Sequence, residues 1–153
     1  MEKTLVIVKP DAVQRGLVGK ILNRFEEKGL KIVGMKLVVL SDEVLRLHYS
    51  HIVSKPFFPE VAQFMSSGPS VLVCLEGVDA VSAVRLMCGV TKARAAEPGT
   101  IRGDLAMSVQ ANVVHASEDL AQAEAEVARF FLPSELLDYK LVTEPFVYAS
   151  HER

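Results

Sequence analysis

At residues 112–117 the chain reads Asn112-Val113-Val114-His115-Ala116-Ser117, which is the pattern of a short buried strand. Val113 and Val114 are β-branched and favour a pleated, half-buried surface. A polar run follows, and apolar residues then recur at helical spacing over residues 120–131. The pattern therefore places His115, a nucleophilic side chain, at the end of a strand that leads into a helix. An ordinary strand-end histidine has the same pattern, so a chemical role for His115 depends on the residues that accompany it.

The composition bounds the class of protein. A length of 153 residues predicts a single domain spanning residues 1–153, and half of the residues are hydrophobic, as in a globular core. A net charge of −2 argues against nucleic acid as the main partner and against a membrane surface. The sequence has neither an apolar run of membrane-spanning length nor a secretory signal. Cys74 and Cys88 lie in apolar surroundings without a metal-binding spacing, which is typical of free thiols in a cytoplasmic protein.

Four apolar, β-rich segments are predicted as strands, and segments of helical spacing lie between them. The strands are residues 4–8, 31–40, 71–75 and the one that ends at His115. Their order predicts an α+β fold, a ferredoxin-like βαββαβ sandwich with a four-stranded antiparallel sheet covered by helices. A helical pair between the second and third strands is an insertion on that plan. The alternative, an all-parallel sheet, would need more strands at this length.

Local signals predict where elements begin and end. Gly29 is predicted to end the first helix, and Ser41 to cap the next one. Residues 10–16 are predicted as a polar turn, and residues 90–104 as a long loop without a period, which is where function often resides. The strand at 31–40 is apolar on much of both sides and is predicted to be an edge strand or a subunit contact.

Three cationic side chains fall at a strand end, near a helix end or in the long loop: Lys9, Arg85 and Arg102. The arginine fork fits phosphate oxygens, and lysine supplies a point charge. Each of them alone is equally consistent with a solvated surface cation. The sequence contains neither a P-loop nor a glycine-rich dinucleotide loop, so any nucleotide phosphates must be held by side chains.

Other side chains are candidates for contacts with a sugar, a phosphate or a base. Hydroxyl and amide groups hydrogen-bond phosphates and sugars, although they are also common in turns. Aromatic residues near helices are candidates for base stacking, with a place in the core as the alternative. These candidates are Thr91, Asn112, Ser117, Tyr49 and Phe57.

Several motifs, in order and with matching spacing from about residue 2 to 139, resemble those of the nucleoside diphosphate kinases. They are Lys9-Pro10-Asp11-Ala12-Val13-Gln14-Arg15-Gly16-Leu17-Val18-Gly19, Lys55-Pro56-Phe57-Phe58, Ser67-Gly68-Pro69, Pro98-Gly99-Thr100-Ile101-Arg102-Gly103-Asp104 and Asn112-Val113-Val114-His115.

The resemblance implies a ping-pong transfer of the terminal phosphate of a nucleoside triphosphate to His115, and from there to a nucleoside diphosphate. It implies that Glu126 orients the imidazole, that Phe57 stacks on the base, and that Mg²⁺ arrives with the nucleotide. It also implies homo-oligomers, hexamers or tetramers, built from dimers that pair through residues 31–40. The matching catalytic positions are His115, Glu126, Ser117 and Lys9, and the nucleotide-binding positions are Lys9, Tyr49, Phe57, Arg85, Thr91, Arg102 and Asn112.

Three positions depart from the family pattern. Ala116 replaces a common glycine, which is costly only if the residue needs a positive φ. Glu118 replaces an aspartate, and Ala93 replaces a proline. None of these removes a group that the chemistry needs. Two other classes remain as alternatives: a binding module without turnover, which would not need His115 and Glu126 together, and a nucleic-acid-binding role, which the acidic composition disfavours.

Overall fold

A four-stranded antiparallel sheet lies at the centre of the computed structural model, which describes residues 1–152. In chain order the strands are β1 (Glu2–Val8), β2 (Lys31–Val38), β3 (Ser70–Gly77) and β4 (Val114–Ala116). Their spatial order is β2-β3-β1-β4, and every neighbouring pair is antiparallel. The predicted ferredoxin-like sandwich is therefore confirmed.

The helices cover both faces of this sheet. Side chains alternate along β1, so Val6 and Val8 enter one apolar core while Leu5 and Ile7 enter the other. Both faces of β1 are thus buried, which explains its nearly continuous apolar sequence. The helices are α1 (Pro10–Gln14), α2 (Val18–Lys28), α3 (Asp42–His48), α4 (Phe58–Met65), α5 (Ala80–Cys88), α6 (Ile101–Leu105), α7 (Leu120–Phe130) and α8 (Glu144–Val147), with 3-10 helices at Ala93–Ala95 and Pro133–Glu135.

The predicted helix ends are confirmed at two positions. Gly29 ends α2 with φ 99°, a left-handed conformation that glycine adopts at little cost. Ser41 caps α3, and its Oγ accepts a hydrogen bond from the amide of Val44 at 3.3 Å. Ala116 lies in β4 with an extended backbone and not at a positive φ, so its side chain is tolerated there.

Two segments were predicted wrongly as irregular. Residues 10–16 begin with helix α1, in which Pro10 occupies the first position, where its missing N–H is harmless. The long loop at 90–104 contains a 3-10 helix and most of α6, which Thr100 caps by accepting a hydrogen bond from the amide of Gly103. Helices this short make too few turns to leave a period in the sequence.

Three further properties concern the whole chain. No helix among residues 1–152 is long and apolar enough to cross a bilayer. Cys74 and Cys88 are free and buried, as predicted. Burial raises the pKa of each thiol to about 11, which keeps both in the neutral form.

Candidate active site

A cleft of about 910 Å³ opens beside the ends of β1 and β4. Residues of α3, α4, α5, α6 and α7 line it together with residues of the connecting loops. Ser117 is the one predicted site residue that lies outside the lining, because its side chain is buried beneath it. The predicted residues that do line the cleft are Lys9, Tyr49, Phe57, Arg85, Thr91, Arg102, Asn112, His115 and Glu126.

The imidazole of His115 is held from one side by a buried carboxylate. Its Nε2 lies 3.3 and 3.2 Å from the two carboxylate oxygens of Glu126 on α7. Ser117 Oγ donates a hydrogen bond of 2.6 Å to the same carboxylate. Burial favours the neutral acid, but the hydrogen bonds from His115 and Ser117 outweigh it and hold the pKa of Glu126 below its usual value. An ionised Glu126 accepts a hydrogen bond from the Nε2–H group, so the lone pair of His115 lies on Nδ1.

A strained turn immediately precedes His115. Val113 has φ 64°, and the amide of Val114 donates to the carbonyl of Asn112 at 2.8 Å, which closes a γ-turn. Asp11 Oδ2 accepts the amide proton of Val113 at 3.1 Å. A β-branched residue in this conformation costs on the order of 1–3 kcal/mol, and the surrounding contacts hold it there. The predicted strand therefore begins only at Val114, and the extended conformation expected for Val113 is wrong.

The arginine on α6 forms part of the floor. Arg102 is buried and donates to the carbonyls of Gly89 at 2.7 Å, Val114 at 2.6 Å and Asn112 at 3.4 Å. These bonds use three of the five guanidinium N–H groups, so two remain for a ligand. Burial lowers the pKa of Arg102, yet the guanidinium stays charged because its ordinary pKa is so high.

The lysine at the end of β1 is linked to the same floor. Lys9 Nζ donates to Asn112 Oδ1 at 2.6 Å and to the carbonyl of Gln110 at 3.4 Å. Asn112 Nδ2 in turn donates to the carbonyl of Thr91 at 3.0 Å. Burial lowers the pKa of Lys9 to about 8, and the positive charge of Arg102 adds to this effect. The charged form of Lys9 is therefore destabilised in the free protein, and an anionic ligand beside Nζ would stabilise it.

Exposed groups surround this buried floor. Arg85 on α5 and Thr91 are exposed, and the ring of Phe57 is 51% exposed at the start of α4. Tyr49 is half-buried, and burial raises its pKa to about 12, so its hydroxyl is neutral and able to donate. An exposed aromatic ring and cations over a charged floor suit a ligand with a planar group and an anionic tail.

Two residues of the cleft were missed by the sequence analysis. His48 on α3 packs edge to face on His115, with ring centroids 4.6 Å apart, and Arg129 on α7 contacts His48. His48 follows the apolar helical spacing of α3, which is typical of a core residue, and Arg129 resembles any charged residue of an exposed helix. Neither leaves a signal in the sequence, because they meet across 81 positions.

These features together define a class of protein: a phosphotransferase with a histidine nucleophile. Nδ1 of His115 carries the free lone pair, the carboxylate of Glu126 is buried beside Nε2, and three cationic side chains line the same cleft. Phosphoryl transfer through a histidine needs a nucleophile and positive charge of this kind.

Comparison with known proteins identifies the family. A family model described as nucleoside diphosphate kinase matches residues 2–136. The nucleoside diphosphate kinase of Parabacteroides distasonis is 53% identical over 152 residues, and human nucleoside diphosphate kinase B is 44% identical over 148 residues; the alignments cover 99% and 97% of both chains, respectively. A solved halophilic nucleoside diphosphate kinase from Halobacterium salinarum, in complex with CDP, superposes with a TM-score of 0.94 at 44% identity over 96% of this chain and 98% of its own.

The chain belongs to the nucleoside diphosphate kinase family. The predicted enzyme class is thereby confirmed: this is a phosphotransferase of nucleotide metabolism that moves the terminal phosphate of a nucleoside triphosphate to a nucleoside diphosphate by a ping-pong route through a phosphohistidine.

Proposed function

We propose that Nδ1 of His115 is the atom that accepts and returns the phosphoryl group. The observation that carries this proposal is the pair of contacts between Nε2 of His115 and the ionised Glu126. The Nδ1 lone pair forms a bond to the terminal phosphorus, the bond to the bridging oxygen breaks, and the diphosphate leaves with that electron pair. The second half-reaction runs the same steps in reverse with another diphosphate. Glu126 balances the positive charge of the phosphorylated ring, and Ser117 orients Glu126.

Four side chains of the cleft are proposed to hold the phosphates. Arg102 and Lys9 approach from the floor, while Arg85 and Thr91 approach from the exposed rim. Phosphoryl transfer spreads negative charge over the equatorial oxygens of the transferred group, so fixed cations around it stabilise the transition state more than the ground state. The lowered pKa of Lys9 supports this assignment, because phosphate relieves the cost of its charge.

The nucleoside is proposed to lie toward Phe57. Its exposed ring is placed to stack on a base, and stacking leaves the hydrogen-bonding edge of the base unread. Lys9 and Asn112 are proposed to contact the sugar hydroxyl as well as the phosphates, and Tyr49 offers a neutral donor nearby. Broad tolerance for the base is therefore expected. The CDP bound to the Halobacterium salinarum relative is consistent with such a site.

We propose that Mg²⁺ would arrive with the nucleotide and be held mainly by its phosphates, and that it would supply positive charge beside the transferred group. Among residues 1–152, the group of three close ligand atoms is formed by His48, His115 and Glu126. Two imidazoles and one carboxylate do not suit Mg²⁺, which prefers an octahedron of oxygens and keeps much of its water. The residues of this chain therefore fit an ion held mainly by the phosphates of the substrate.

We also propose a homo-oligomeric, cytoplasmic enzyme in which residues 1–153 form one domain. The edge strand β2 supports the assembly, because Met35 and Leu37 on it are 56% and 64% exposed, and Val39 just beyond it is 64% exposed. An apolar edge of this kind is a template for pairing with a second copy. Dimers joined at this edge would be the units of a hexamer or a tetramer.

The proposed carrier is tested by labelling. Incubation with terminally labelled ATP in the absence of an acceptor should give an acid-labile, base-stable label on the wild type and none on His115→Ala. His151→Ala is the matched control, because His151 is exposed and lies outside the cleft. Label on His115→Ala would refute the assignment. Nucleotide binding without label on the wild type would identify a binding module instead.

A further inference from the structure

The buried carboxylate Glu126 has a second imidazole close to it besides that of His115. His48 Nδ1 lies 3.8 Å from Glu126 Oε1, and both side chains are almost fully buried, with 1% and 7% exposure. If His48 carried its proton on Nδ1, a small movement would let it donate to Glu126. Glu126 would then accept hydrogen bonds from both His48 and His115, and its hydrogen bond with His115 would weaken.

A guanidinium group contacts the same nitrogen of His48. Nη1 of Arg129 lies 3.4 Å from His48 Nδ1, and arginine can only donate. A proton on Nδ1 would therefore face a donor, whereas a lone pair there accepts the hydrogen bond. The other ring nitrogen offers neither tautomer a hydrogen bond, because His48 Nε2 is buried without a partner within residues 1–152. The hydrogen-bonding contacts that distinguish the two tautomers are therefore those at Nδ1.

We propose that Arg129 is a positioning residue that fixes His48 as the Nε2–H tautomer and thereby reserves Glu126 for His115. The inference rests on the proposed role of His115. It adds to that role a residue of the cleft whose hydrogen bond goes to His48 and not to His115. Burial also lowers the pKa of His48 to about 3, and the positive charge of Arg129 adds to this effect, so the ring is neutral during the reaction.

The same contacts oppose metal binding by these side chains. His48, His115 and Glu126 offer ligand atoms that lie within 4.8 Å of one another. The lone pair of His48 Nδ1 is occupied by Arg129, however, and a guanidinium at 3.4 Å from that nitrogen opposes a second cation.

The direct test is the tautomer of His48, read from the ¹⁵N chemical shifts of its ring in the protein without nucleotide. The wild type should show the proton on Nε2. Arg129→Met keeps the length of the side chain but removes every donor, and it should move the proton to Nδ1. A wild-type proton on Nδ1, or an unchanged tautomer in Arg129→Met, would overturn the inference. Arg129→Lys retains a cationic donor and should keep the wild-type tautomer.

The rate of His115 labelling by ATP supplies the second readout. Arg129→Met should slow labelling roughly five- to tenfold, the size expected when a hydrogen bond to a charged group is weakened but not lost, with nucleotide affinity within about a factor of two. In a His48→Gln background the same substitution should have no further effect on the rate. Additive effects of the two substitutions would contradict action through His48.

Arg46→Met is the matched control for these measurements. Arg46 pairs with Asp42 at 2.7 Å on α3 and lies outside the cleft, so its loss should leave the tautomer and the labelling rate unchanged. The tautomer is read without nucleotide and does not require phosphorylation. A failure of this inference is therefore distinguishable from a failure of the proposed carrier, which the His115→Ala labelling experiment decides.

Discussion

Raising the pH above 8 is expected to weaken nucleotide binding through the neutralisation of Lys9. Burial beside Arg102 lowers the pKa of this lysine from 10.5 to about 8 in the free protein. In the proposed binding mode, phosphate lies next to Lys9 Nζ and favours the charged form. Binding above pH 8 therefore requires the uptake of a proton by Lys9.

The structure gives the size of the effect. With a pKa of about 8, roughly one tenth of the free protein carries a charged Lys9 at pH 9, so the dissociation constant should rise roughly tenfold between pH 7 and 9. Proton uptake should approach one per site at pH 9. The lowering of the pKa from 10.5 to about 8 corresponds to a cost of roughly 3 kcal/mol for the charged form of Lys9 in the empty site.

The sign for folding follows from the same values. Because the pKa of Lys9 is lower in the folded than in the unfolded chain, its cost is fully present below pH 8. Between pH 8 and 10.5 the unfolded chain binds more protons, so this contribution raises the free energy of unfolding as the pH increases. Nucleotide affinity and the stability of the free protein should therefore change in opposite directions with pH.

Isothermal titration calorimetry with Mg²⁺ and ADP measures both quantities, since buffers with different ionisation enthalpies report the proton uptake. Lys9→Met should bind more weakly at pH 7 and lose the dependence on pH. Lys55→Met removes an exposed lysine outside the cleft and should keep the wild-type profile. A wild-type affinity that stays constant from pH 7 to 9, without proton uptake, would refute the reasoning.

Three further outcomes are expected. Glu126→Gln should slow His115 labelling on the order of 10²-fold with little change in nucleotide affinity, and the reverse result would assign Glu126 another role. Ala93→Pro should raise the melting midpoint slightly in calorimetry and leave the transfer rate nearly unchanged, since Lys92 is extended and Ala93 starts a 3-10 helix. The amide of Ala93 donates a hydrogen bond of 3.4 Å to the carbonyl of Ser108, which proline cannot make. A lower midpoint would mean that the loss of this hydrogen bond outweighs the entropic gain from proline. Leu37→Lys should reduce the mass measured by light scattering, and a monomeric wild type at micromolar concentration would contradict the proposed assembly.

The longer elements could be predicted from the sequence, because the burial of their side chains leaves a recognisable pattern of apolar residues. β1 is buried on both faces and therefore reads as a continuous apolar run, and α7 buries residues at helical spacing. Helix α1 has only five residues and leaves no such repeat. The motifs shared with a known family predicted which residues line the cleft, but spacing alone could not place Ser117 beneath Glu126 and outside the lining.

Two features of the site could not be predicted from local sequence patterns. Val113 is β-branched, which predicts an extended backbone, yet Asp11 and the γ-turn hold it at φ 64°. His48 and Arg129 look unremarkable in the sequence and acquire their arrangement from the packing of α3 against α7. Both depend on contacts between distant segments, which a local pattern does not contain.

The pairing of β1 with β4 also determines when the site can exist during synthesis. The amide of Leu5 donates to Ser117 Oγ across 112 positions, and Lys9 reaches Asn112 across 103. A nascent chain has made β1, β2 and β3 long before the nucleophile leaves the ribosome, and Glu126 emerges later still. An incomplete chain therefore contains the cations proposed to bind phosphate before it contains the proposed phosphate acceptor. Contacts at this separation form slowly, so we expect the capacity for phosphorylation to be among the last properties the folding chain acquires.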